Sequence, residues 1–357
     1  AGLPLSTARI IIIGDPNRQP GRVTERVTIP PEPSATEGID AVITWVDGAD
    51  PGHRRKLDAL LAQAGLSRPA TAHPTRFNDA GEIDYCVASI LRFAPWFRRI
   101  HIVVDGQRPR LLDRLGNNEF ADRIRLVEHA EIFAGFEQHL PTFNSRSIIT
   151  MLWRIPDLAE RFVYFNDDMF LLRAVKPEDF FRDGMMVLRG EWRRQSAHSL
   201  FGRVRAWFKR VRGGEPRVGN LDSQQLSARI AGIRDRYCRQ HHNPYPMCVS
   251  TLRDFFAAHP DLLARNCAPR LRSNEQFKTE VVAAHLEHLA GNAILDNTLH
   301  VVQLKPSEQL PARVRHKMRQ ADTDEGAAFV CVQSLEMAPE AVQREIVEWL
   351  DRRIGRS

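Results

Sequence analysis

No run of apolar residues in this chain is long enough to cross a bilayer. The longest covers residues 327–332, against about 20 residues for a spanning helix. No stretch reads as a secretory signal, and a chain opening at Ala1 reads as a fragment or a processed form. Cysteine is scarce. Cys86, Cys238, Cys248, Cys267 and Cys331 are odd in number and form no C-x-x-C pair. That argues against a disulfide framework or a zinc knuckle and fits a reducing cytoplasm. Neither sign of charge is in large excess: 50 basic residues against 44 acidic give a net +6. The balance mildly favours anionic partners such as phosphates, nucleotides or acidic lipid, and no nucleic-acid recognition motif accompanies it. There is no internal repeat.

What is present is a chain of 357 residues, enough for one large α/β domain with insertions or for two domains. Residues 1–37 hold one strand-like run, 10–13, then a stretch rich in Pro, Arg and Glu that reads as an extended arm. From Ile39 onward strands and helices alternate, which predicts a mostly parallel, twisted sheet with flanking helices. Strands are expected at 39–46, 100–104, 124–127 and 162–165. Helices are expected from Pro51, over 82–94 and over 145–153, and residues 250–300 read as helical. The expected divisions are a catalytic domain over 38–330, with a basic helical insertion at about 190–220, and a C-terminal helix within 331–357 packed on it.

The strands end in acidic residues. The first runs into Asp47-Gly48, the next into Asp105-Gly106, and the last into Asn166-Asp167-Asp168. In an open α/β sheet, ligands bind beyond the carboxyl ends of the strands. Carboxylates gathered there suit a hard divalent cation and the phosphates it carries, so Asp47, Asp167 and Asp168 are the metal candidates. Asp is also common in ordinary turns. Arg76 precedes the helix opening at Glu82 and can clamp an anion; Asp79, three residues before Glu82, reads equally well as a capping box. The segment His241-His242-Asn243-Pro244-Tyr245-Pro246 reads as a polar, turn-rich loop, with a histidine available as general base or merely exposed. Arg270 and Arg272 can neutralise a diphosphate or sit at a solvated helix entrance. Leu200, Phe201, Val204, Trp207, Phe208 and Val211 share one helical face flanked by arginines. Such a helix lies on an anionic membrane or packs on its own protein.

Taken in order, these motifs resemble the Stealth family of sugar-1-phosphate transferases, which includes bacterial capsule and exopolysaccharide phosphotransferases and the animal N-acetylglucosamine-1-phosphotransferase. The resemblance lies in Ile39-Asp40-Ala41-Val42-Ile43-Thr44-Trp45-Val46-Asp47-Gly48, in Arg76-Phe77-Asn78-Asp79 with Glu82 and Tyr85, and in Val104-Asp105-Gly106-Gln107. It continues through Pro141-Thr142-Phe143-Asn144-Ser145, Tyr164-Phe165-Asn166-Asp167-Asp168, His242-Asn243-Pro244 and Arg272-Ser273. Two departures stand out. Asp84 and Ala88 occupy positions where the family usually shows basic residues, and Gln333-Ser334 stands where it typically has Asn-Asp, so a carboxylate is missing there.

The resemblance implies a Rossmann-like or GT-A-like fold. It implies a UDP-sugar donor, Mg²⁺ (or Mn²⁺) held by Asp167, Asp168 and Asp47, and an oligosaccharide or glycolipid acceptor. An acceptor hydroxyl attacks the phosphorus attached to the sugar, and UMP leaves. Arg76 and Arg272 balance diphosphate charge, and His242 takes the proton. Trp45, Asp47, Gly48, Asp79, Glu82, Gln107, Asn144, Ser145 and Asn166 contact substrate. The expected setting is cytoplasmic, at the inner membrane face, with residues 200–211 as the peripheral contact. One alternative is a metal-dependent glycosyltransferase releasing UDP from the same strand-end carboxylates. Another is a non-catalytic binder of nucleotides or anionic glycans.

Overall fold

The computed structural model describes residues 38–65, 81–115, 121–195 and 220–355. Expectations for 1–37, Arg76, Asp79 and the helix at 200–211 fall outside them. Thirteen strands are described: β1 (Ile39–Thr44), β2 (Ile100–Val104), β3 (Ile124–Glu128), β4 (Arg161–Asn166), β5 (Met169–Leu171), β6 (Phe181–Arg182), β7 (Met185–Leu188), β8 (Gly190–Arg194), β9 (Arg236–Gln240), β10 (Tyr245–Cys248), β11 (Ala293–Leu295), β12 (His300–Leu304) and β13 (Ala327–Val332). The main sheet has the order β10-β4-β1-β2-β3. β1 lies parallel to β2 and β4, and β2 parallel to β3, while β10 closes one edge antiparallel to β4. The expected mixed α/β fold with a mostly parallel central sheet is therefore the one observed.

The sequence dictates this sheet through its apolar runs. Parallel strands are covered on both faces, so they read as continuous hydrophobic stretches rather than alternating ones. Ala41, Val42 and Ile43 of β1 and Ile102, Val103 and Val104 of β2 have no exposed surface. Helices Pro51–Gln63, Glu82–Phe93 and Ser145–Met151 connect or cover these strands. A second sheet, β12-β13-β5, joins the first where β4 passes through Asp167 and Asp168 into β5.

Three local expectations are corrected. The helix at 82 begins on Gly81, which takes φ +92°, a backbone region that glycine reaches without Cβ strain. Glu82 is the first helical residue, and the N-cap position belongs to Gly81. Residues 250–300 contain helices Val249–Ala258, Pro260–Cys267 and Thr279–Leu289, but end in β11 and the start of β12. The polar loop at 241–246 runs directly into β10, with Pro246 inside the strand. A proline is tolerated there because β10 is an edge strand, where its missing N–H breaks no ladder.

At the opposite end of the sheet from the strand carboxyl ends, Asp40 of β1 is fully buried. It accepts from Arg98 Nε at 2.9 Å and Nη2 at 2.7 Å, from the Ala159 N–H at 2.9 Å, and pairs with His101 Nε2 at 3.0 Å. Burial alone would raise its pKa, but these bonds outweigh it and hold the carboxyl at about 2. This staple ties β1 to β2 and to the approach to β4.

Candidate active site

Because β1, β2, β3 and β4 run parallel, their carboxyl ends open on one side of the sheet. A cavity of about 540 Å³ lies there. β1 contributes Thr44 and Trp45 to its lining, β2 contributes Val103 and Asp105, and β4 contributes Asn166, Asp167 and Asp168. β13 adds Val332 and Gln333. Of the residues singled out in the sequence, Trp45, Glu82, Ser145, Asn166, Asp167, Asp168, His242 and Arg272 line this one space.

The best-defined part is a chain of hydrogen bonds ending on His242. Thr44 Oγ1 lies 3.0 Å from the Tyr164 hydroxyl, which donates to Asn166 Oδ1. Asn166 Nδ2 lies 3.1 Å from His242 Nε2. On the other side of the ring, Nδ1 lies 3.3 Å from the Tyr245 hydroxyl, which itself donates to the His241 carbonyl at 3.1 Å. Burial pushes both phenols well above their ordinary range, so both keep their protons. The donors therefore run in one direction. With Asn166 Oδ1 occupied by Tyr164, its amide donates to Nε2, and Nδ1–H donates to Tyr245. This arrangement sets the Nδ1–H tautomer, with the Nε2 lone pair accepting from Asn166 and lying 3.8 Å from Asp168 Oδ1.

Asp168 is the residue most suited to a cation. The Cys331 thiol donates to its Oδ2 at 3.3 Å, while the buried Oδ1 has no hydrogen-bond partner. A buried carboxylate oxygen left unmatched is costly unless something binds it. Ligand atoms of Asp168, His242 and Cys331 lie within 4.8 Å of one another. Cys331 suits the outer position: burial drives its pKa well above the ordinary thiol range, so it stays a neutral donor. An oxygen-seeking ion such as Mg²⁺ fits Asp168 Oδ1 and the adjacent Asp167.

Arg272 Nη2 donates to Ser145 Oγ at 2.7 Å, which joins two of the sequence-predicted segments across the cavity. The neighbouring Asn144 caps helix Ser145–Met151. Its Oδ1 accepts from the Arg146 N–H at 3.1 Å, and its Nδ2 donates to Pro269 O and Gln276 Oε1, both at 2.8 Å. Asn144 thus braces the two segments from behind and does not line the cavity. Gln107 has a similar place. It donates to the Asp47 carbonyl at 2.8 Å and accepts from the Asp47 N–H at 2.9 Å, fixing the turn after β1. Asp47 Oδ1 accepts from the Ala49 N–H at 2.7 Å, an Asx turn. Asp47 and Gly48, like Gln107, are not among the lining residues. The cavity therefore gathers Asp167 and Asp168 but not Asp47.

Several lining residues carried no sequence signal that singled them out, His53, His129, Lys305 and Glu336, while Thr142 stood only as part of the motif at 141–145 with no role of its own. Desolvation lowers the pKa of His53, and holds His129 at about 4, so the latter stays neutral. Glu336 stands two residues beyond Ser334. Its Oε1 is buried without a hydrogen-bond partner, and burial, with Asp168 nearby, raises its pKa. The wall lacking a carboxylate at Gln333 thus carries one at Glu336. Gln333 itself accepts from Gln303 Nε2 at 2.9 Å.

Comparison with known proteins bears directly on this site. Residues 37–65 match Stealth protein conserved region 1, and residues 76–188 match Stealth protein conserved region 2. The second match includes Asn166, Asp167 and Asp168 and stops short of His242. The chain is 44% identical over 149 residues to an exopolysaccharide phosphotransferase of Streptomyces coelicolor, covering 42% of this chain and 24% of that protein. It is 42% identical over 146 residues to a capsular polysaccharide phosphotransferase of Actinobacillus suis, covering 40% and 38% respectively. A second exopolysaccharide phosphotransferase of S. coelicolor is 32% identical over 264 residues, 71% of this chain and 44% of that protein. The chain thus spans less than half the length of each of these relatives. Among solved structures, the galactosyltransferase LgtC with donor and acceptor sugar analogues aligns at a TM-score of 0.42 and 12% identity, covering 88% of this chain and 96% of that one. A score of that size assigns no shared fold.

Proposed function

We propose that this chain, which carries the first two conserved regions of Stealth proteins, transfers a sugar-1-phosphate from a UDP-sugar to a hydroxyl of a glycan acceptor in capsular or exopolysaccharide synthesis. The observation that carries the reading is the placement of His242 Nε2, held by Asn166, 3.8 Å from Asp168 Oδ1, a buried carboxylate oxygen with no hydrogen bond, at the end of β4. The names of the similar phosphotransferases support the reaction class.

Phosphoryl transfer depends on positioning and charge neutralisation more than on covalent chemistry. The acceptor oxygen attacks the phosphorus bearing the donor sugar. A new P–O bond forms, the bond to the bridging oxygen breaks, and UMP departs with that oxygen. The acceptor hydroxyl replaces the Asn166 amide on His242 Nε2, which takes the acceptor proton as the bond forms. Its Nδ1–H remains on Tyr245, and the resulting imidazolium lies beside Asp168, which stabilises it. Arg272 balances the diphosphate charge, with Ser145 fixing the guanidinium. Asp167 and Asp168 would hold Mg²⁺ or Mn²⁺, which supplies further neutralisation of the diphosphate when bound. Donor and acceptor meet, in this reading, at the cytoplasmic face of a membrane; no helix among the described residues is long and apolar enough to cross one.

The test is nucleotide release. With Mg²⁺, a panel of UDP-sugars and oligosaccharide acceptors, acceptor-dependent UMP that disappears in Asp167→Ala, Asp168→Ala protein is the expected result. Release of UDP instead would overturn sugar-phosphate transfer in favour of glycosyl transfer.

A further inference from the structure

Two buried polar side chains lining the cavity, one of them following β3 three strands from β4, have no hydrogen-bond partner among the described residues. His129, at the start of the helix following β3, is 6% exposed, and Thr142 is 3% exposed. His129 Nδ1 and Thr142 Oγ1 both lack hydrogen-bond partners, and both residues line the cavity. An unsatisfied buried donor or acceptor costs about 1–3 kcal/mol, and here two occur in one recess. Trp45, Phe143, Val103 and Ile148 complete its walls. The nearby cation Lys56 is paired with Asp105 at 2.8 Å, so its charge is already balanced by a carboxylate. The recess combines aromatic and aliphatic walls with two neutral groups, each able to donate or accept. It matches a flat, uncharged ring with carbonyl and N–H groups along one edge.

We infer that this recess holds the pyrimidine base of the donor nucleotide, with His129 and Thr142 bonded to the edge of the ring. The inference rests on the nucleotide-sugar reading above and adds where the base sits and what selects it. Strand order supplies the spacing. From β4, which carries Asp167 and Asp168, to β3, which leads into His129, there are three inter-strand steps, or roughly 14 Å. A nucleoside diphosphate laid across the strand ends spans that distance, with its phosphates at the carboxylates and its base at His129.

The test measures UMP and AMP binding to the full chain by calorimetry, for wild type, Thr142→Val and His129→Gln. Thr142→Val replaces the hydroxyl with a methyl group, which keeps the shape but can neither donate nor accept. The expected result is a wild-type preference for UMP over AMP, lost in each variant through an about tenfold weaker UMP affinity with AMP unchanged. The thermal midpoint of unliganded Thr142→Val should equal or exceed that of wild type, because the hydroxyl it loses is unsatisfied; a purely structural threonine would lower it. Equal losses for UMP and AMP, no losses, or no wild-type preference would each overturn the subsite while leaving sugar-phosphate transfer standing. A wild type that binds neither nucleotide, with or without Mg²⁺, would sink the nucleotide-donor reading and the subsite with it.

Discussion

At the scale of single residues, His242 and Asp168 have distinct parts. His242→Ala is expected to lower kcat by about 10²- to 10⁴-fold, the usual range for loss of a general base. UDP-sugar affinity should change little, since the ring faces the acceptor proton. Steady-state kinetics beside equilibrium binding check this, and parallel losses in both would argue for a structural histidine. Asp167 and Asp168 were legible in the sequence because two carboxylates follow an apolar run. His242 was legible only through the family resemblance. Its tautomer was not legible, because Asn166, with Tyr164 behind it, meets it only through a contact of long sequence separation, and Tyr245 alone is local. His129 gave no signal, and Thr142 stood only inside the motif at 141–145: each looks like an ordinary turn or cap residue until the cavity is built.

At the scale of elements, Asn144 is worth most as the cap and brace of helix Ser145–Met151. Asn144→Ala should lower stability by about 1–3 kcal/mol, through the lost cap and the buried groups it leaves unbonded. Denaturant unfolding measures that loss; an unchanged midpoint together with weakened donor affinity would instead favour direct substrate contact. The parallel strands β1 to β4 were readable because burial on both faces makes them continuous apolar runs. β10 was hidden by Pro246 and by the polar residues before it, and only its edge position makes that sequence compatible with a strand. The start of helix Glu82–Phe93 fell where the sequence put it, but its N-cap is a glycine at positive φ rather than a residue with a capping side chain.

At the scale of the whole molecule, distant parts of the chain share one core. In the last helix, Glu340–Arg353, Val342, Ile346, Trp349 and Leu350 join the same buried cluster as β1 and β4. Tyr85 donates to Asp351 Oδ1 at 2.6 Å, and Arg92 to the Ile354 carbonyl at 2.8 Å, which fastens helix Glu82–Phe93 to the C-terminal helix. Trp349→Ala should therefore cost about 3–5 kcal/mol in unfolding measurements, rather than fraying one end harmlessly. The Asp40 staple makes stability depend on acid. Its folded pKa of about 2 lies below the usual carboxylate value. Its contribution is thus present above about pH 4 and is lost as pH falls toward 2. Asp40→Asn should destabilise the protein by about 3 kcal/mol at neutral pH and flatten that acid limb; a variant as stable as wild type would show that the buried pair contributes nothing.

The central claim, that the phosphorus moves with the sugar, is tested most directly by following that phosphorus. A UDP-sugar labelled with ³²P in the β-phosphate is incubated with protein, Mg²⁺ and acceptor. Transfer of sugar-1-phosphate predicts that the label appears in the glycan product, in a linkage stable to phosphomonoesterase, while the released UMP is unlabelled. A glycan carrying the sugar without the label, with ³²P left in UDP, would contradict it.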